Sequence, residues 1–142
     1  MEADVTFTLK DAIDVTIQLG NTVNTLWTIY LTVLVAIAGV LLFSSAQLTT
    51  SQKVVATVSF LLFAFINWRI LFETYSLLIA AIDEMKAQVP SADLKSTAFE
   101  KAISSVSFSS GIWLPTVFHV VLGAAVLFLI WFNPQSPRRS DE

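Results

Sequence analysis

The chain has no cysteine and a single histidine in 142 residues. The first absence removes disulfides, thiol nucleophiles and thiolate metal sites. The second excludes a His-cluster metal centre, or a bis-histidine haem, built within one copy. Charge is scarce too: 13% of the residues are Asp, Glu, Lys or Arg, where soluble domains carry about 25%. The lysines are scattered singly and the net charge is -3, so nucleic acid is not an expected partner. G-x-S-x-G, H-E-x-x-H, Walker loops and Gly-rich dinucleotide turns are all missing. The expectation is a non-enzymatic protein with no cofactor.

What is present is hydrocarbon. The chain is 55% hydrophobic with eleven phenylalanines and four tryptophans, and its mean hydropathy is +0.72. Too little polar surface remains to cover a water-facing domain. The reading is an integral membrane protein, a single membrane domain over residues 1–142, with the lipid bilayer as its first partner. The opening MEADVTFTLKDAID has acids where a secretory signal has lysines, and its apolar run comes late. The first span is therefore expected to stay in the mature protein.

A crossing needs about 20 mostly apolar residues, and three runs supply it. They are 22–43, without a charge; 54–82, longer than a crossing needs; and 112–132, closed by Asn133 and Pro134. None alternates as a barrel strand would. The fold class is all-α, a three-pass transmembrane helical bundle. Between spans two and three, residues 91–106 place Leu94, Ala98, Phe99, Ala102, Ile103 and Val106 at helical spacing. That predicts a short amphipathic interfacial helix, with packing against neighbouring protein as its alternative. Residues 1–21 form an N-terminal amphipathic segment, since Leu9, Ile13 and Ile17 share a face. Residues 134–142 are a polar tail.

An odd number of spans puts the N-terminus and the 91–106 segment on one side of the membrane. Lys53, Arg138 and Arg139 on the other side lie closer to span ends than Lys10, Lys86, Lys95 and Lys101. Positive charge near span ends marks the cytoplasm, which points to a plasma (inner) membrane with a cytoplasmic C-terminus.

The stretch FINWRILFETY, residues 65–75, carries Arg69 and Glu73 inside the second run. Taking Ile82 as the edge, Glu73 lies about 13 Å in and Arg69 one turn deeper. His119 lies about 10 Å in from Ile112, and Thr25, Thr28 and Thr32 about 5 to 15 Å in on the first span. Together with Asn67 and Tyr30 they predict a polar layer in one half of the bilayer. Two unpartnered charges at mid-span cost about 5 to 7 kcal/mol, so Arg69 and Glu73 are expected to face protein. Thr25, Thr28 and Thr32 continue into Ala36 and Gly39 as one stripe. Gly111, Pro115, His119 and Gly123 make another, and small residues suit helix contacts in lipid.

Ionisable groups within a membrane are candidates for function. Arg69, Glu73 and His119 suggest an ion or proton pathway, or a ligand site, in a homo-oligomer or a larger membrane complex. One alternative is an anchor or assembly subunit whose intramembrane charges bind a larger partner. Another is a redox subunit holding haem or quinone.

Overall fold

A computed structural model describes residues 8–43, 48–91, 96–106 and 111–132. Four α-helices follow in order: α1 (Leu9–Phe43), α2 (Thr50–Gln88), α3 (Thr97–Ser105) and α4 (Trp113–Phe132). A 3-10 turn, Val89–Ser91, follows α2. No strand occurs among the described residues. Three helices, α1, α2 and α4, are long and apolar enough to cross a membrane. That is the mark of an integral membrane protein.

The two long helices start on reciprocal caps. Thr8 N–H and Oγ1 both donate to Asp11 Oδ2, at 2.9 and 2.6 Å, while Asp11 N–H donates back to Thr8 Oγ1 at 3.3 Å. At α2, Thr49 N–H donates to Gln52 Oε1 at 2.9 Å and Gln52 N–H donates to Thr49 Oγ1 at 3.3 Å. Each box satisfies backbone donors that a helix start otherwise leaves orphaned. Both helices consequently exceed the apolar runs. α1 takes in the segment from Leu9 onward, which forms no separate helix; Gly20 lies within it, at a cost of about 1 kcal/mol that does not break it. α2 ends ahead of Pro90, which disfavours helical geometry at Val89.

The chain divides into two compact units. The first comprises Met1–Leu26 and Ile70–Leu114. Its core holds Ala12, Met85, Val89 and Ile103, with Leu9 and Ile13 packed against it. α3 forms within the predicted segment, capped by Ser96, whose hydroxyl accepts from Phe99 N–H at 3.4 Å. Of its apolar face, Ile103 packs on this protein core, whereas Phe99 and Val106 are exposed. Leu94 and Lys95 lie outside the described residues, as do the 1–7 segment and the 134–142 tail.

The second unit comprises Trp27–Arg69 and Pro115–Glu142. Its core is Tyr30, Leu34 and Leu41 from α1, Phe60 from α2, and Val126 and Ile130 from α4. α2 and α4 run antiparallel here. His119 meets Ala64 near one end, while near the other Trp131 Nε1 donates to Thr57 Oγ1 at 3.1 Å. Lys53 Nζ also reaches the Trp131 carbonyl, at 3.3 Å. Trp113 and Trp131 stand near the two ends of α4, the usual place for interfacial anchors.

Candidate functional site

The polar chemistry of the second unit gathers around His119. Tyr30, fully buried on α1, donates its hydroxyl to the His119 carbonyl at 2.9 Å. The His119 ring lies over the Tyr30 ring, centroids 3.8 Å apart and planes within 13°. Phe63 lies near-parallel to Tyr30 with centroids 6.2 Å apart, and Trp27 meets both Tyr30 and His119 edge-on. His119 Nε2 sits 3.0 Å from the Ala64 carbonyl. A carbonyl only accepts, so the hydrogen is on Nε2 and Nδ1 keeps a lone pair. Nδ1 is buried and has no hydrogen-bond partner among the described residues.

Gly123 makes this arrangement fit. A Cβ at that position would lie 3.3 Å from the Tyr30 hydroxyl and 3.8 Å from the Phe60 ring. Beside the cluster runs a cavity of about 400 Å³ between α2 and α4. Phe60, Ala64 and Trp68 line one wall, His119, Gly123 and Ala124 the other, with Tyr30 at the floor. Thr116 and Leu127 mark its limits along α4.

The predicted polar layer is not gathered into one enclosed place. Asn67, Tyr30 and His119 are buried in the second unit. Thr28 and Thr32 belong to that unit too but are exposed, and Thr32 Oγ1 donates to the Thr28 carbonyl of its own helix at 2.7 Å. Thr25 falls in the first unit, exposed, its hydroxyl returned to the Asn21 carbonyl at 3.0 Å. Such bonds satisfy the hydroxyl without any second helix. Arg69 and Glu73 lie on the exposed face of α2, Arg69 in the second unit and Glu73 in the first.

Ala64 is level with His119, so Trp68 is level with Pro115, and both ends of the cavity wall agree with that register. Arg69 therefore stands at the height of the first turn of α4.

Among the packing residues, Gly123 stands at a true helix contact. Ala36 is exposed and Gly39 has open space around it, so that part of the α1 stripe packs on nothing within the chain. Pro115 sits in the first turn of α4, where its missing N–H costs nothing. Gly111, just before that helix, has φ +51°, a backbone setting that favours glycine. The aromatic partners Trp27 and Phe63 and the Ala64 carbonyl were absent from the sequence-based site. The signal pointing to them is Tyr30 and His119 as aromatic polar groups in otherwise greasy runs, with Gly123 one turn beyond His119.

No protein-family model, no curated protein and no solved structure matches this chain.

Proposed function

We propose that the chain is a non-enzymatic subunit of a membrane assembly, joined to further copies of itself or to a larger membrane protein. The observation that supports this is exposed apolar surface on helix length surplus to a crossing. α4, at 20 residues, is about 30 Å long, the thickness of the hydrocarbon. α1 and α2, at 35 and 39 residues, reach about 52 and 58 Å. Outside the 22–43 and 54–82 runs, Ile17 on α1 is 55% exposed and Phe99 on α3 47% exposed. Large apolar side chains left uncovered beyond the lipid mark a protein interface; a membrane-surface position of α3 would cover Phe99 alone. Arg69 and Glu73, outward on α2, then supply charge that fixes a partner's register. The C-terminus is assigned to the cytoplasm, beside Lys53, under the positive-inside rule.

Light scattering on the detergent-extracted protein tests this reading. The expected mass is a multiple of 15.6 kDa, or that of a hetero-complex. Ile17→Ser should lower the mass while the chain still inserts. A wild-type monomer in several detergents overturns the proposal.

Ion or proton passage is the second reading, favoured by the outward position of Thr28, Thr32 and Arg69. Three helices enclose no conduit, so a path would have to form between copies. Proteoliposome flux that is unchanged by Glu73→Gln and equal to empty vesicles removes it. Haem ligation by His119 would fall to Nδ1, since Nε2 is bonded to the Ala64 carbonyl, and Nδ1 is buried, so the redox reading draws no support from the geometry.

A further inference from the structure

We infer that Arg69 is a phosphate-binding residue at the bilayer edge, that its ligand is the headgroup phosphate of a phospholipid, and that α2 leaves the hydrocarbon there. This rests on the chain crossing a membrane, not on the assembly proposed above.

The position follows from α4. With 20 residues it is about 30 Å long, so its whole length is needed to cross the hydrocarbon. The His119–Ala64 bond sets Trp68 of α2 level with Pro115, in the first turn of α4. Arg69 is the next residue, so it stands where α4 enters the lipid. At the opposite end, Lys53 Nζ reaches the carbonyl of Trp131, next to last in α4. Residues 54–68, between these two cations, carry no charge and span about 22 Å. Long basic side chains make up the remainder by reaching outward to the headgroups. Each edge also has an exposed tryptophan on α4, Trp113 at one and Trp131 at the other, as membrane interfaces do.

The chemistry then selects the ligand. Arg69 is exposed on α2. An outward arginine is costly at mid-bilayer and cheap at the headgroups, which is why α2 can turn it away from the protein. A guanidinium meets phosphate with paired N–H donors. It carries five, so a phosphate can be held while a carboxylate takes two.

The test is solid-state NMR of the full chain, reading the dephasing of labelled guanidinium nitrogen by phosphorus. Arg138→Lys and Arg139→Lys leave Arg69 the only arginine. One arm holds phosphatidylcholine vesicles in phosphate-free buffer; the other holds phosphorus-free galactolipid vesicles with inorganic phosphate. Dephasing in the first arm is the expected result, with or without dephasing in the second. Dephasing in the second arm alone, or in neither, overturns the lipid ligand. Thiols introduced into the cysteine-free chain check the edge itself. Ser76 and Leu62 are both exposed on α2, seven residues to either side of Arg69. In opened vesicles Ser76→Cys should react with a membrane-impermeant maleimide and Leu62→Cys should not. An unreactive Ser76→Cys beside a phosphorus contact would mean that headgroups are drawn down to a deep Arg69. That result, or a reactive Leu62→Cys, overturns the exit of α2 at this residue.

Discussion

At position 123 a hydrogen stands where any other residue would put a carbon 3.3 Å from the Tyr30 hydroxyl. Gly123→Ala is expected to destabilise the second unit by about 1 to 3 kcal/mol through overpacking. Tyr30→Phe removes the bond to the His119 carbonyl, which in a membrane is worth about 0.6 kcal/mol on average. It also removes the very atom the new methyl would crowd. The double variant should therefore lose less than the sum of the singles, as contacting residues do. Unfolding in mixed detergent–denaturant micelles measures all three. Strict additivity would mean that the Tyr30 hydroxyl is not what demands a glycine. Tyr30, Asn67 and His119 were legible in the sequence as polar exceptions in apolar runs. Their aromatic neighbours were not, because Trp27 and Phe63 meet them only through the rotation of each helix about its axis, which one sequence does not encode visibly.

At the scale of elements, the three apolar helices were legible because each run has the length of a crossing and two of them carry no charge. Two of the helices begin ahead of the runs, α1 at Leu9 and α2 at Thr50. TTSQ, residues 49–52, lies ahead of the 54–82 run, and Thr49 and Gln52 close a reciprocal cap there. A T-x-x-Q spacing is a start signal, here outweighed by the greasier residues that follow. The same happened at Thr8 and Asp11. Thr49→Ala should cost about 1 kcal/mol at the α2 start. Faster hydrogen exchange at the Gln52 amide, with the amides around Phe60 unchanged, is the expected reading. An unaltered Gln52 rate would show that the cap contributes nothing. For α3 the helical spacing was informative, but only Ile103 is buried. Periodicity identifies an apolar face and leaves open whether protein or lipid covers it.

At the scale of the molecule, three crossings impose a sidedness that no single helix carries. A three-pass insertion of the apolar helices predicts that the start of α1 and α3 share one side and that the start of α2 occupies the other. The absence of cysteine makes this directly measurable, since an introduced thiol is the only one present. Lys10, Gln52 and Lys101 are exposed on α1, α2 and α3. Lys10→Cys and Lys101→Cys should react with a membrane-impermeant maleimide from the same side of sealed vesicles. Gln52→Cys should react only from the opposite side. The positive-inside assignment adds that Gln52→Cys is the cytoplasmic one, being one residue from Lys53. Labelling of Gln52→Cys from outside intact cells would reverse the orientation and leave the three-pass fold standing. Labelling of Lys10→Cys and Lys101→Cys from opposite sides would remove one crossing, and the fold with it.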